Sequence, residues 1–198
     1  MAEHTNDAKR ALRAELRERR TQHSDAVRQA YEVGIASQLD ALVAHLGARS
    51  VSCYLSLVTE PGTREFIAGA LERGICILLP ITRPDGLLDW AVAQVGGGIV
   101  EGFLRMPEPD GDVLSPRAVE EVDLMIIPAA AVDHTGMRLG WGRGYFDRTL
   151  GSMRSRPPVY AVVFDSELVP DVPYDAHDRG VDGIVTPTRT ISFTDPVR

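Results

Sequence analysis

Apolar and polar residues alternate along this chain with two different periods. Near its start the apolar positions recur every three or four residues, which indicates two amphipathic helices. We predict the first helix over residues 7–20, with Asn6 or Asp7 as its N-cap. The second is predicted to begin after Ser24, a capping residue, and to end at Gly47, where glycine permits a left-handed C-cap.

Shorter apolar runs follow, and we predict them as buried strands. They cover residues 50–57, 75–79, 123–128, 158–164 and 183–186, with an added strand at 87–92 near an edge of the sheet. A helix capped by Thr63 and running to about Arg73 separates the first two runs. Strands that alternate with helices in this way favour an α/β fold. We therefore expect a Rossmann-like three-layer sandwich, with a mostly parallel sheet and helices on both faces.

The predicted elements leave no room for a second domain. Residues 1–198 are expected to form one domain, in which the helices of residues 7–46 pack on the sheet. Residues 96–98 and 107–111 are predicted as loops, and residues 187–198 as an irregular tail. In open α/β sheets a ligand binds beyond the carboxyl ends of the strands. Functional residues are therefore expected just after the predicted strands.

Composition narrows the classes of partner. With 44% hydrophobic residues the chain can bury a sizeable core, while a net charge of −7 provides no basic field for nucleic acid. No apolar run approaches membrane-spanning length, and charged residues occupy the start, where a signal peptide would be apolar. Cys53 and Cys76 lack metal-ligand spacing and are predicted to be buried, reduced thiols. We expect a monomeric, cytoplasmic protein with neither a nucleic-acid nor a membrane partner.

The strongest functional signal is a glycine-rich segment after the 123–128 strand. Glycines at 140, 142 and 144 alternate with bulkier residues, and arginines lie at 138, 143 and 148. A backbone without side chains can approach a ligand closely and turn its N–H groups toward an anion, and a helix predicted from Tyr145 adds free donors. The spacing is neither that of a P-loop nor that of the dinucleotide fingerprint. The alternative is a tight loop whose glycines serve only turn geometry.

Asp147 decides which anion this segment suits. A carboxylate beside a phosphate repels it unless a cation lies between them, and Mg²⁺ characteristically binds one or two carboxylates together with phosphate oxygens. The segment therefore favours a nucleotide with magnesium. In the same loop Trp141 could form an aromatic wall for a flat ligand.

Other candidates are less specific. Lys9 and Arg13 share one helical face and could hold a phosphate chain, or they could be a solvated basic helix end. Glu60 could contact a ligand from its loop, although loop glutamates are common. Asp178 or Asp182 could supply a second metal ligand, or both could belong to a surface turn.

Taken in order, these pieces resemble the 5-formyltetrahydrofolate cyclo-ligase family, also known as 5,10-methenyltetrahydrofolate synthetases. Residues 123–150 are similar to the family's strand and its Arg-Leu-Gly-x-Gly-x-Gly-Tyr-Tyr-Asp-Arg loop. Residues 9–13 look like its Lys-x-x-Leu-Arg, and Glu60 matches its folate-contacting acid. His177-Asp178, with the Val-Asp and Ile-Val-Thr that follow, resembles the family's closing signature.

The resemblance implies an enzyme that cyclises 5-formyltetrahydrofolate to 5,10-methenyltetrahydrofolate and releases ADP and phosphate. Its small-molecule substrates would be a reduced folate and ATP, with Mg²⁺ as cofactor. The implied ATP-binding residues are Lys9, Arg10, Arg13, Arg138, Leu139, Gly140, Trp141, Gly142, Arg143, Gly144, Tyr145 and Phe146. The implied folate-binding residues are Leu55, Glu60, Trp141, Gly142, Arg143, Gly144 and Tyr145. Arg138, Arg143 and Tyr145 would act in catalysis, and Asp147 and Asp178 would hold the metal.

The chain departs from the family's pattern at a few positions. Phe146 replaces a tyrosine, Arg143 stands where glycine is frequent, and Glu167 stands near a common glutamine. Two alternatives therefore stay open. One is a non-catalytic folate sensor, and the other is an enzyme of the same fold that acts on another phosphorylated ligand.

Overall fold

The computed structural model describes residues 2–194, with side chains from residue 4 onward. Within this range the α-helices are α1 (Ala2–Thr21), α2 (Asp25–Leu46), α3 (Arg64–Glu72) and α4 (Tyr145–Ser152). Short 3₁₀ helices cover Pro116–Glu121 and Asp165–Glu167. The strands are β1 (Ser50–Ser52), β2 (Cys76–Thr82), β3 (Leu88–Val92), β4 (Ile99–Glu101), β5 (Pro107–Pro109), β6 (Val113–Leu114), β7 (Leu124–Pro128), β8 (Ala131–Asp133), β9 (Arg138–Leu139), β10 (Val159–Val162), β11 (Leu168–Val169), β12 (Gly183–Val185) and β13 (Thr190–Ser192).

The main sheet contains eight strands in the order β13-β12-β10-β7-β1-β2-β3-β6. Its five central strands, β12, β10, β7, β1 and β2, pair in parallel, whereas β13, β3 and β6 add antiparallel edges. This arrangement confirms the predicted α/β fold with a mostly parallel sheet. Two smaller sheets, β11-β8-β9 and β4-β5, lie outside it.

Side chains that alternate along β7 separate the core into two layers. Leu124 and Ile126 belong to the cluster covered by α2 and α3, while Met125 and Ile127 belong to the cluster on the other face. Alternate residues enter different layers because successive side chains of a strand point to opposite faces of the sheet. Leu16 of α1 packs instead against the small β8–β9 sheet. Helix α1 therefore lies beside the segment that leads into the glycine loop.

The ends of α2 follow the sequence prediction, and those of α1 do not. Ser24 accepts a hydrogen bond from the N–H of Val27, and Gly47 closes α2 in the left-handed region with φ of 63°. Helix α1 already begins at Ala2, so the capping role predicted for Asn6 or Asp7 is wrong. Both residues continue the helix because the turn before them is helical too.

Two of the predicted boundaries at strand ends were wrong. Strand β1 ends at Ser52 rather than at residue 57, because the chain leaves the ladder once the N–H of Cys53 has bonded to the carbonyl of Leu78. Strand β2 continues past Pro80 to Thr82. Proline has no N–H to donate, but β1 pairs with β2 only as far as Leu78, so at Pro80 no strand on the β1 side requires that hydrogen bond.

Three segments predicted as irregular form strands. The 107–111 loop contains β5, which pairs with β4, and the 187–198 tail contains β13, which pairs with β12. Residues 195–198 of that tail lie outside the described residues. The β8–β9 hairpin between β7 and the glycine loop was not predicted. Each of these strands is two or three residues long, too short to show a period of two.

The cysteines differ from each other. Cys53 is buried as predicted, whereas Cys76 is exposed because it is the first residue of β2, at the rim of the sheet. Among the described residues, no helix has the length and apolar character needed to cross a membrane.

The topology creates a crevice beside β1. From β1 the chain moves outward to β2, and from β7 it moves the opposite way to β10, although β1 and β7 are neighbours. Ligands in open α/β sheets bind at such a switch point, beyond the carboxyl ends of the two strands. The loop through Glu60 leaves from β1, and the β8–β9 hairpin with the glycine loop leaves from β7.

Candidate active site

Two clefts meet at the switch point, and one loop separates them. The first, called here the apolar cleft, has a volume of about 350 Å³ and is lined by Leu55, Glu60, Pro80, Trp141, Tyr145 and Phe146 among others. The second, the polar cleft, has a volume of about 720 Å³ and is lined by Lys9, Arg13, Leu139, Gly142, Arg148, Asp175 and Asp178 among others. Both are lined by Arg138, Gly140, Arg143, Gly144 and Asp147. The glycine loop, residues 140–144, thus borders both clefts.

The backbone conformation of this loop explains why it needs glycine, and arginine side chains lie close beside it. Gly142 and Gly144 have φ of 91° and 70°, values that other residues adopt only with strain. A Cβ on Gly142 would lie 3.4 Å from Cζ of Arg13, and one on Gly144 would lie 2.9 Å from Nη1 of Arg148. The bare backbone lets guanidinium groups approach the loop closely. Gly144 also precedes α4, so the free N–H groups of that helix begin beside the clefts.

Helix α1 presents a row of basic side chains to the loop. Lys9, Arg13, Arg17 and Arg20 follow one face at helical spacing. Nε of Arg13 donates to the carbonyl of Gly140 at 2.7 Å. The guanidinium groups of Arg17 and Arg20 lie 5.6 and 4.7 Å from the ring centroid of Trp141. The predicted shared face of Lys9 and Arg13 is therefore present, and it extends two turns further.

The carboxylates of the polar cleft are held by cations. Oδ1 of Asp147 accepts Nη2 of Arg138 at 2.7 Å and the N–H of Arg179 at 3.2 Å. Burial lowers the pKa of Arg138, partly offset by Asp147 and Asp178. Nζ of Lys9 contacts Oδ2 of Asp178 and also Asp175, at 2.6 Å.

The Lys9 pair shifts the pKa values of both partners. Burial alone would lower the pKa of Lys9, but hydrogen bonds to Asp175 and Asp178 raise it above its usual value. Burial alone would raise the pKa of Asp178, but Lys9 and the N–H of Asp175 hold it below its usual range. Both groups are therefore charged at neutral pH.

Glu60 is a half-buried acid that lines the apolar cleft and not the polar one. Its Oε2 accepts the N–H of Leu57 at 2.9 Å, which folds the Leu57–Glu60 turn back on itself. Burial raises the pKa of Glu60, and the hydrogen bond and Arg20 offset this rise only in part. On the opposite wall the hydroxyl of Tyr145 donates to the carbonyl of Arg83 at 2.9 Å. The cleft therefore offers flat apolar walls and an acceptor at one end.

Similarity to known proteins shows the family of this chain. Residues 5–187 match the model of the 5-formyltetrahydrofolate cyclo-ligase family. The chain belongs to that family. It is 34% identical over 190 residues to the 5-formyltetrahydrofolate cyclo-ligase of Mycolicibacterium smegmatis, covering 93% of this chain and 96% of that protein. It is 31% identical over 147 residues to the enzyme of the same name from Escherichia coli K12, covering 72% and 80%.

Solved structures agree with the family. The NMR structure of the 5,10-methenyltetrahydrofolate synthetase of Aquifex aeolicus superposes with a TM-score of 0.80 at 25% identity, covering 96% of this chain and 95% of that one. The 5,10-methenyltetrahydrofolate synthetase of Mycoplasma pneumoniae superposes with a TM-score of 0.72 at 19% identity, covering 90% and 98%, and shares the fold.

The structure divides the residues predicted by resemblance to the cyclo-ligase family. Lys9, Arg13, Leu139 and Gly142 line the polar cleft, while Leu55, Glu60, Trp141, Tyr145 and Phe146 line the apolar one. Asp178 lines the polar cleft, whereas Asp182 lines neither and accepts the N–H of Val159 at 2.8 Å. Arg10 also lines neither cleft and pairs with Asp7 on the outer face of α1.

Sequence reasoning missed several charged groups of this site. Arg20 lies on the same helical face as Arg13, so its spacing could have indicated it. The cleft residue Arg179 was not predicted either. Glu167 was named only as standing near a common glutamine, and its pairing with Arg20 was not predicted, because the two residues come from distant segments and no local pattern links them. Glu108 accepts hydrogen bonds from the N–H and Oγ1 of Thr82, which ties β5 to β2 at the edge of the apolar cleft.

Proposed function

We propose that this protein is a 5-formyltetrahydrofolate cyclo-ligase, which converts 5-formyltetrahydrofolate and ATP to 5,10-methenyltetrahydrofolate, ADP and phosphate. One observation carries the proposal: an apolar cleft with an acid and a polar cleft with cations and carboxylates meet at one glycine loop. A reaction between a flat heterocycle and a nucleotide needs two such compartments with a common border. Membership of the cyclo-ligase family identifies the heterocycle as a reduced folate.

The apolar cleft takes the reduced folate. Trp141 and Tyr145 provide aromatic surface, and Leu55 and Pro80 add apolar walls. Oε1 of Glu60 has no hydrogen-bond partner among the described residues, so it is available to accept N–H groups of the pterin ring. A hydrogen bond between a pterin N–H and Oε1 of Glu60 orients the ring, because a misplaced pterin would leave the N–H and the carboxylate oxygen without a partner.

The polar cleft takes the triphosphate of ATP. Arg13, Arg138 and Arg143 supply positive charge, and the free N–H groups at the start of α4 add donors. Lys9, in the N-terminal half of α1, holds Asp178 and would contact a phosphate from there. Phosphoryl transfer depends on such positioning and charge neutralisation more than on a protein nucleophile.

The carboxylates of the polar cleft fit Mg²⁺. Oδ2 of Asp147 and Oδ1 of Asp178 accept no hydrogen bond among the described residues, so each acid retains one oxygen for a cation. Asp175, His177 and Asp178 also bring potential ligand atoms within 4.8 Å of one another. When bound, Mg²⁺ neutralises phosphate charge. Arg138 and Arg179 hold the Asp147 carboxylate in place for that purpose.

The chemistry then proceeds across the glycine loop. The formyl oxygen attacks the γ-phosphorus of ATP, the bond from that phosphorus to the β,γ-bridging oxygen breaks, and ADP leaves. N10 of the folate attacks the activated formyl carbon and loses its proton to solvent, the carbon–oxygen bond breaks, and phosphate leaves as the methenyl bridge forms. Arg138 and Arg143 border both clefts, and they stabilise the negative charge that develops between the two substrates.

A spectroscopic assay tests this proposal. Purified protein is mixed with 5-formyltetrahydrofolate and Mg-ATP, and the near-ultraviolet absorbance of the methenyl product is followed with and without EDTA. We expect absorbance that requires ATP and is abolished by EDTA. Folate binding without turnover would favour a non-catalytic folate sensor, and absence of folate binding would favour an enzyme for another phosphorylated ligand.

A substitution at Asp147 tests the metal role separately. We expect Asp147→Asn to lower kcat by about 100-fold or more while leaving folate affinity nearly unchanged, because the carboxylate serves phosphoryl transfer and not folate binding. Asp171→Asn removes an exposed carboxylate outside both clefts and is the matched control. Equal losses of turnover and folate affinity in Asp147→Asn would contradict this role.

A further inference from the structure

A buried ion pair lies beside the aromatic wall of the apolar cleft, and its arginine, Arg20, also lines that cleft. Nε and Nη2 of Arg20 donate to the two carboxylate oxygens of Glu167 at 2.6 and 2.8 Å, the fork geometry that suits guanidinium and carboxylate. Both residues are 2% exposed. Nη2 of Arg20 also donates to the carbonyl of Ala129 at 2.9 Å, directly after β7. The guanidinium plane is thereby fixed at the switch point of the sheet.

The fixed guanidinium supports Trp141. Cζ of Arg20 lies 4.7 Å from the centroid of the indole ring, within the range of a cation–π contact. Nε1 of Trp141 is buried and has no hydrogen-bond partner among residues 4–194. The ring also touches the small apolar cluster that contains Leu16. Contacts with the Arg20 cation, with the Arg17 cation at 5.6 Å and with this apolar cluster, and not a hydrogen bond, therefore orient the ring.

Stability does not explain why this pair is buried. Two charges removed from water lose hydration, and apolar residues of similar volume often serve a fold equally well. Glu167 comes from a segment far from α1 in the chain, and its Oε2 also accepts the N–H of Phe164. The pair joins α1, the end of β7 and the 3₁₀ turn after β10 at one point, directly behind a residue of the glycine loop.

We propose that Arg20, oriented by Glu167, is a positioning residue that holds Trp141 as a wall of the apolar cleft and so determines the affinity for the reduced folate. Arg20 itself does not take part in phosphoryl transfer. The proposal rests on the function proposed above. It predicts a selective effect, because Trp141 lines the apolar cleft and not the polar one.

A double variant separates positioning from stability. Arg20→Met/Glu167→Gln removes both charges together, and the glutamine keeps an acceptor for the N–H of Phe164. A folded protein is expected, because neither charge is left unpaired. We expect KM for 5-formyltetrahydrofolate to rise about five- to tenfold, within the range that one cation–π contact supplies, while KM for ATP stays within about twofold.

Tryptophan fluorescence reports the same change without substrate. The chain has two tryptophans, and in a Trp90→Phe background Trp141 is the remaining one. Trp90 lies in the core, and its Nε1 has no hydrogen-bond partner among the described residues, so phenylalanine removes no hydrogen bond there. We expect acrylamide to quench Trp141 more strongly in the double variant than in the background protein.

Arg73→Met/Asp40→Asn is the matched control. It removes an exposed ion pair between α3 and α2, away from both clefts, and should change neither readout. A folded double variant with unchanged folate KM and unchanged quenching would refute the proposal. If the double variant does not fold, Arg20→Lys keeps the charge but loses the planar fork and stack, and the same two readouts decide. Absence of turnover in the unsubstituted protein would instead refute the proposed function, before any variant is compared.

Discussion

At the scale of single residues, the site consists of ionisable groups whose charge is controlled by burial and by close partners. Arg138 holds Asp147, and Lys9 holds Asp178. In the Lys9 pair attraction outweighs lost hydration, so the pKa of Lys9 is raised and that of Asp178 is lowered. Glu60 differs from these acids, since burial outweighs its partners and raises its pKa. The ionised form of Glu60 is therefore costly in the folded protein, and a ligand that donates hydrogen bonds relieves that cost.

Glu60→Gln should stabilise the protein and weaken folate binding. The raised pKa means that the contribution of Glu60 to stability is present at low pH and is lost as pH rises through the folded-state pKa. We therefore expect a higher Tm for Glu60→Gln than for the unsubstituted protein at pH 8, and a smaller difference at pH 5. Folate affinity at pH 8 should fall about tenfold, the effect of one hydrogen bond to a charged acceptor.

Thermal unfolding and calorimetric titration measure these two effects. Glu65→Gln, at an exposed position of α3, is the control and should change neither. A Tm advantage that is independent of pH would contradict the assignment of the effect to ionisation of Glu60.

At the scale of elements, α1 and the glycine loop form one unit. Arg13 bonds to Gly140 and occupies the space beside Gly142, so the helix determines how close an anion can come to the loop. The loop in turn leads into α4, whose first turn carries Asp147. A change in the loop is therefore expected to reach nucleotide and metal together.

Gly142→Ala tests this unit. Its φ of 91° makes alanine strained, and the new Cβ would lie 3.4 Å from Arg13. We expect a loss of about 1 kcal/mol in stability and a rise in KM for ATP of about tenfold or more. Gly74→Ala is the control, because Gly74 has φ of 78° with open space around it and lies outside both clefts. The same KM for ATP in the two variants would show that backbone strain, and not the position of Gly142 beside Arg13, causes the effect.

At the scale of the whole molecule, the two clefts are on opposite sides of one shared border. Arg138, Gly140 and Gly144 line both, so a ligand that orders the border from one side prepares it for the other. The parallel sheet makes this possible by delivering the loops after β1 and β7 to the same switch point. The monomeric state and the cytoplasmic location expected from composition stay predictions.

The shared border predicts coupled binding. A non-hydrolysable ATP analogue with Mg²⁺ should lower the Kd for the reduced folate about fivefold or more, and the folate should lower the Kd for the analogue by the same factor. Calorimetric titration of each ligand in the presence and absence of the other measures both factors. If the two ligands bind independently, the residues that line both clefts are already rigid in the free protein.

The sequence by itself determined the class of fold and the chemistry of the loop. Apolar runs such as 123–128 and the ends of α2 at Ser24 and Gly47 are local signals, since periodicity and capping depend on near neighbours. The alternating glycines beside three arginines and Asp147 favoured an anion site for the same reason, and that site stays a prediction. The family itself followed from the order of these motifs.

Only the tertiary structure decided which charges meet. Lys9 with Asp178 and Arg20 with Glu167 are separated by well over one hundred residues, and no periodicity links such positions. The short strand β13 forms because β12 offers hydrogen bonds at its edge, and β5 forms by pairing with the equally short β4; sequence windows of three residues do not reveal either partner. The division of the loop between two clefts likewise follows from where β1 and β7 end, because long-range packing, and not local propensity, brings those ends together.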